Sequence, residues 1–415
     1  MSVRLLIKAP RLFDALSEQC AQQAYVVIDG ERIDDIGAQS DLGVNADEQF
    51  DQVIDLPRDS TLLPGLINMH THLSFSSSMQ VFEDAIADGD PVKMIRIVEN
   101  LRKCLHTGVT TVRDCGTWPH LALPVRDAVE RGLLPGPRIV ASGAITSTGG
   151  HCWFCATEAD SEAEVRKAVR SHVKDGVDFI KLFATGGNTT PGSNALVAQY
   201  NAAEVCAATE EARKASRRTA AHAHGIDGVR HSITARVTTI EHCSFQTAAG
   251  IGWDEDLASK AVDAGIYVCH TVFRGISKLE QDSSHVLTDV EARIIEARRE
   301  PNAKRMALTR RLADKGVQLL AGNDAGVMHV GFSDFPGDLV MTSEGCELSP
   351  GAVIKSATRT AAQALGLEDI GTIERQKVAD LLVVHGDALH NIRDIERTAM
   401  VFARGARVVN NCTSL

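Results

Sequence analysis

The sequence has no excess of positive charge: 43 Lys and Arg stand against 54 Asp and Glu, a formal net charge of −11. Nucleic-acid phosphates demand clustered cations, and no basic face is apparent, so no nucleic-acid partner is expected. An anionic small molecule is not excluded, because one local Arg overrides the global field. Also missing is a long apolar leading run, since Met1-Ser2-Val3-Arg4-Leu5-Leu6-Ile7-Lys8 is too short for a signal peptide or a spanning helix. The expectation is a cytoplasmic protein with no membrane partner. Ten Cys are scattered without a small secreted framework, as in chains whose thiols stay reduced. Cys152-x-x-Cys155 has the spacing of a redox or zinc half-site, but no second pair accompanies it. With 44% hydrophobic and 23% charged residues, the composition shows no sign of disorder, a fibre or a linker array.

What is present is enough chain for one large α/β barrel and a smaller unit. Residues 1 to about 60 read as short strands and turns, at 4–9, 24–29, 32–36 and 52–56. A second β-rich stretch lies at 379–385, 398–403 and 407–410. Neither end has enough strands to stand alone, so the two are expected to pair into one β-sandwich made of 1–60 and 366–415. Between them, over 61–365, apolar runs alternate with helical stretches, the pattern of βα units round a parallel sheet. Eight runs are legible, at 62–73, 109–114, 138–144, 179–185, 219–224, 238–242, 266–271 and 317–324. Eight closes a (β/α)8 TIM barrel, so the predicted class is α/β with a small terminal β-sandwich.

Catalytic groups of such barrels stand at the C-terminal ends of the strands. The first run ends in His70-Thr71-His72, whose two imidazoles face the same way on a strand. That suits a shared metal ion, although an isolated His-x-His is equally the end of a solvated strand. The fourth run passes through Lys181, the fifth ends in His222 and His224, the sixth in His242 and the eighth in Asp324. Ligand-capable residues at five of eight strand ends argue against unrelated core histidines.

These stretches resemble the amidohydrolase superfamily in its two-metal form. They are Pro64-Gly65-Leu66-Ile67-Asn68-Met69-His70-Thr71-His72, Asp178-Phe179-Ile180-Lys181-Leu182-Phe183, Ala221-His222-Ala223-His224-Gly225, Ile240-Glu241-His242 and Ala321-Gly322-Asn323-Asp324-Ala325. Ser147-Thr148-Gly149-Gly150-His151 and the His222–Gly225 block are similar to the imidazolonepropionase-like group, which includes Xaa-Pro dipeptidases and Xaa-Arg or Xaa-Lys carboxypeptidases. The resemblance implies a metal held by His70, His72 and Asp324, and a more exposed one held by His222 and His242. Lys181 would bridge them as a carbamate formed with CO2. Independently, an ammonium beside two divalent cations is disfavoured, whereas a neutral lysine that adds CO2 becomes an anionic bidentate ligand.

The implied activity is hydrolysis of an amide C–N bond in a small molecule, with a dipeptide or an N-acyl amino acid as the first substrate to try. Two divalent ions, zinc first among them, would activate a bridging hydroxide. Asp324 would act as acid and base, and His151 as a second contact to the developing oxyanion. His224 is expected to touch substrate, while His270 is a weaker candidate of the same kind. Glu241 is expected to point away from the pore. Arg274 and Arg230 are candidate partners for a substrate carboxylate, though each is also an ordinary surface residue type. Rival readings are a cyclic-amide hydrolase or deaminase on the same scaffold, and a metal-free scaffold protein. A homo-oligomer is expected by resemblance alone.

Overall fold

The computed structural model describes residues 3–281 and 285–412; the outermost residues of the expected terminal unit, 1–2 and 413–415, lie outside them. All eight runs form strands of one parallel sheet: Leu66–Thr71, Val109–Asp114, Arg138–Thr146, Phe179–Phe183, Arg218–Gly225, Thr239–Thr247, Tyr267–Cys269 and Gln318–Leu320. They are numbered first to eighth below. Neighbours in space are neighbours in sequence throughout. The edges meet where Met69 N donates to Ala321 O at 3.0 Å and His72 N to Ala325 O at 2.7 Å. The sheet thus closes round the residues that end its first and last strands.

Alternation along each strand decides what reaches the interior. On the fourth strand Ile180 and Leu182 pack outward with Val165 and Val169 of the helix Glu162–Asp175, which leaves Lys181 on the inward face. On the fifth, Ala221 and Ala223 join the same outer core, so Ala220, His222 and His224 look inward. The helix Glu162–Asp175 is started by Ser161, whose side chain accepts from Glu164 N, and stopped at Gly176 with φ 90°.

The run at 62–73 is two strands rather than one. Ser60–Pro64 pairs antiparallel with Leu381–His385 in the terminal sheet, and only Leu66–Thr71 enters the barrel. The chain changes sheet at Gly65, where an added Cβ would lie 2.2 Å from Thr110 Oγ1; no larger residue fits that crossing. The terminal strands form one curled mixed sheet of eight strands from both chain ends, with an isolated bridge from Arg32 to Val378. Leu62, Leu381 and Val383 fill its own core, while Leu63, Leu382 and Val384 face the barrel helices. Burial on both faces ties the sheet to the barrel. No helix among the described residues is long and apolar enough to cross a membrane.

Candidate metal centre

The strand ends bring His70, His72, Lys181, His222, His242 and Asp324 together, all buried except Asp324, which is 14% exposed at its side chain. Asp324 Oδ1 lies 3.3 Å from His70 Nε2 and 3.2 Å from His72 Nε2, yet it has no hydrogen-bond partner. Ligands about 2.0–2.1 Å from a common cation stand roughly this far apart. The second cluster is His222, His224 and His242, with one nitrogen from each within 4.8 Å of the others. His222 Nε2 lies 3.1 Å from Gly186 O, and a carbonyl can only accept, so His222 Nδ1 presents its lone pair toward His242 Nε2, 3.0 Å away. Thr271 Oγ1, 2.7 Å from His242 Nδ1, can accept that ring's proton. Two bare nitrogens then face each other, an arrangement that a cation between them relieves.

Lys181 is fully buried and its Nζ has no hydrogen-bond partner. An unpaired buried ammonium is costly. These observations fit a metal-holding group in which Lys181 is a ligand.

Electrostatics agree with neutral, ligand-ready rings. Burial, followed by the charge of Lys181, pulls His70 down to about 4. Burial and neighbouring imidazoles push His222 and His242 well below the ordinary histidine value. At His72 burial also lowers, but the Asp324 carboxylate, 3.2 Å from its Nε2, outweighs it and leaves this ring raised. Burial opposes ionisation of Asp324, and His70 and His72 override it to hold the carboxylate low.

Glu241 differs from expectation. It points into the barrel beneath His70, where it accepts from His70 Nδ1 at 2.9 Å, Arg113 Nη2 at 2.6 Å and Thr239 Oγ1 at 2.6 Å. Simple alternation fails because His242, Cys243 and Phe245 have φ of 68°, 46° and 43°, and the pairing with the fifth strand shifts register between Ala223 and Gly225. Glu241 and His242 therefore both reach the interior. Burial of Glu241 would raise its pKa, but Arg113 and His70 hold it well below the usual carboxylate range. An ionised acceptor fixes the His70 proton on Nδ1 and leaves Nε2 bare for a metal.

The site opens into a cavity of about 550 Å³ lined by His72, His151, His222, His224, His242 and Asp324 together with Phe75, Phe82, Phe273 and Met328. His151 N donates to Gln199 Oε1 at 2.6 Å, and its ring centroid lies 4.7 Å from that of His222 with Nδ1 unpartnered. His224 stacks on His242 at 4.3 Å, and its Nδ1 lies 3.0 Å from Ser244 Oγ. Burial and then Arg305 bring His224 to about 3. His270 is buried outside the cavity lining, its Nδ1 accepting from Val272 N at 3.1 Å. Cys152 and Cys155 are both buried free thiols, and Cys152 lines the cavity.

Of the Arg candidates, Arg230 sits half-exposed on the surface, paired with Asp227. Arg274 lines the cavity but is engaged with Glu396 at 3.1 Å and lies 3.6 Å from Asp338. Sequence reasoning missed Arg113, whose signal was an Arg directly after the uncharged run Val109–Val112, still within the second strand. It also missed Arg305 and the buried chain Asn68–Asn323–Asp338, in which Asn68 Nδ2 donates to Asn323 Oδ1 and Asn323 Nδ2 to Asp338 Oδ2, each at 2.8 Å.

The profile described as the amidohydrolase family matches residues 61–409. Ochratoxinase of Aspergillus niger is 26% identical over 253 residues, which cover 54% of this chain and 51% of that protein; the chain spans about half the length of the curated relatives it matches. Among solved structures, a Xaa-Pro dipeptidase with methionine in its active site is 30% identical, with a TM-score of 0.83 over 97% of this chain and 99% of the other. A prolidase complexed with N-methylphosphonate-L-proline is 25% identical, with a TM-score of 0.82 over 98% and 100%. The fold of A. niger ochratoxinase is also similar, with a TM-score of 0.82 at 22% identity over 99% and 96%. With a family match across the whole barrel, and with His, Asp and Glu groups spaced to hold metal at its strand ends, the chain belongs to the amidohydrolase family.

Proposed function

We propose that this protein is a metal-dependent hydrolase of an amide C–N bond, with a dipeptide or an N-acyl amino acid as substrate. The observation that carries the reading is the convergence of His70, His72, Lys181, His222, His242 and Asp324 at five strand ends, with Lys181 Nζ and Asp324 Oδ1 buried and unpartnered. The Xaa-Pro dipeptidase at 30% identity supports the substrate class.

In this reading His70, His72 and Asp324 would hold one divalent ion and His222 and His242 the other, zinc being the first to test, and carboxylated Lys181 would be a ligand common to both. When bound, such ions supply Lewis acidity and lower the pKa of water toward neutrality. The chain does the rest. Glu241 and Thr271 orient the rings of His70 and His242. Asp324 Oδ1, at the cavity floor, takes the proton of the attacking water and passes it to the leaving amine. The His151 ring, its centroid 4.7 Å from that of His222, stands beside the cluster, where a hydrogen bond to the developing oxyanion can form. Phe75, Phe82 and Phe273 add apolar surface to the cavity lining, which disfavours bulk water there.

The test is amine release from dipeptide and N-acyl amino acid panels by zinc-loaded protein, with Asp324→Asn in parallel. Release by the wild type and none by the variant is expected; equal turnover by both would remove Asp324 from its role.

A further inference from the structure

A second cavity, of about 440 Å³, lies at the other end of the barrel. Arg138 and Arg218 open the third and fifth strands, Phe179 and Thr239 open the fourth and sixth, and all four line it. The metal-binding groups stand at the opposite, C-terminal ends. Arg113 also lines this cavity, but its guanidinium is engaged, donating to Met69 O at 2.6 Å, Thr239 Oγ1 at 2.9 Å and Glu241 Oε1 at 2.6 Å. With Glu241 holding His70, that buried pair stands between the cavity and the metal centre.

Three further guanidinium groups line the cavity, those of Arg138, Arg217 and Arg218. Arg138 Nε and Arg217 Nε are buried without a hydrogen-bond partner, and the carboxylate nearest to Arg138 is Asp380, 3.8 Å from Nη2. Among the described residues no carboxylate pairs with Arg217 or Arg218. The Arg218 guanidinium lies over Gly366, where φ is 74° and an added Cβ would stand 2.6 Å from Nε; a glycine there keeps the space this side chain fills. The carboxylates of the lining do not balance the charge. Asp178 already accepts from Arg126 Nη1 at 3.0 Å and from Ala141 N at 2.7 Å, which leaves the exposed Glu130. Three cations face one unengaged carboxylate, in a chain whose net charge is −11. Desolvating a guanidinium without a counter-charge is unfavourable, so the cluster is set for an anion.

Neutral donors point the same way. Thr219 N donates to Thr238 Oγ1 and Thr238 N to Thr219 Oγ1, each at 3.3 Å. Both hydroxyl oxygens are thus occupied as acceptors, and each hydroxyl hydrogen is free to donate into the cavity that both residues line. Ile139, Val140, Phe179 and Leu365 add apolar surface for an organic body, and the volume falls within the roughly 300–1,000 Å³ of small-molecule pockets.

We propose that this end of the barrel is a second ligand site, taking a small phosphorylated compound whose phosphoryl group is held by Arg138, Arg217 and Arg218. A phosphoryl group offers three acceptor oxygens and close to two negative charges, where a carboxylate offers two oxygens and one charge. Guanidinium forks match such oxygens in pairs. The site does not depend on the reading of the metal centre.

The experiment titrates phenyl phosphate, inorganic phosphate and benzoate by calorimetry into zinc-loaded wild type, Arg217→Gln, Arg218→Gln and Arg213→Gln, the last removing an exposed cation outside the cavity. Phosphates also coordinate zinc, so binding at the metal centre is the part that every variant retains. Phenyl phosphate should occupy a further site in the wild type, weakened roughly 10–100-fold by Arg217→Gln or Arg218→Gln and unchanged by Arg213→Gln. Benzoate should bind that site at least about tenfold more weakly. Arg217, which has no glycine built round it, carries the test if Arg218→Gln does not fold. Binding that all variants retain alike, or benzoate equal to phenyl phosphate, would overturn the proposal. Inorganic phosphate held as tightly as phenyl phosphate at that site would make free phosphate the ligand and overturn the phosphorylated compound.

Discussion

Replacing Glu241 by Gln removes one negative charge from the deepest part of the site and should be severely destabilising. The Arg113 and Glu241 side chains are 3% and 0% exposed, and their Nη2–Oε1 distance is 2.6 Å. Solvent cannot take over from the lost partner, and breaking a buried pair on one side costs about 3–5 kcal/mol. That is a large fraction of the roughly 5–15 kcal/mol that stabilises a typical domain. The hydrogen bond to His70 Nδ1 weakens at the same time, and loss of such support lowers metal affinity about 10–100-fold. The double variant Arg113→Met with Glu241→Leu separates the two effects. With both charges gone the buried-charge penalty disappears, although Met69 O and Thr239 Oγ1 lose partners at about 1–3 kcal/mol each. The double variant should therefore unfold at a urea concentration at or above that of Glu241→Gln, measured by circular dichroism on metal-free protein. Its zinc affinity, from competition with a chromophoric chelator, should stay as weak as in the single variant. A Glu241→Gln protein within about 1 kcal/mol of wild type would refute the reasoning, since the buried pair would then not carry the cost assigned to it.

Other consequences are as direct. His224→Ala should retain the full complement of zinc and lose substrate affinity; loss of one zinc per chain, read by elemental analysis, would make His224 a ligand instead. Gly187→Ala would place a Cβ 2.4 Å from His151 Nε2, so kcat should fall by at least about tenfold with zinc content unchanged, and normal turnover would remove His151 from the chemistry. Burial raises Asp338 to about 7 against donors that pull the other way. A folded-state pKa above the unfolded value means that its contribution is complete below pH 3.8 and is lost as pH rises through 7, up to about 4 kcal/mol. Asp338→Asn should remove that component from the pH dependence of urea unfolding between pH 4 and 7; a wild-type slope in the variant would contradict it.

Much of this was legible because barrel strands repeat a simple rule. Apolar runs set between helical stretches marked all eight strands, and His, Lys or Asp at five of their ends marked the site. The run through Leu62, Gly65 and His70 hid its break, because strands buried on both faces carry no polar alternation to show where one sheet gives way to another. Glu241 was misplaced for a different reason: reading its direction required the left-handed backbone at His242, a non-glycine residue with no turn signal of its own. Arg274 and Arg230 drew attention as cations near motifs, yet Arg274 is engaged by Glu396 and Arg230 by Asp227 on its own helix. Arg305 gave no sign, because its helix follows a long loop and only packing shows which face meets the cavity.

How many metal ions the chain holds, and whether Lys181 helps to hold them, decides the two-metal reading most directly. Zinc-loaded wild type, passed through gel filtration and analysed for metal, should carry two ions per chain, and Lys181→Ala should carry at most one until a small carboxylate with bicarbonate restores part of the second. Fewer than one ion in the wild type, or two in untreated Lys181→Ala, would contradict the two-metal centre.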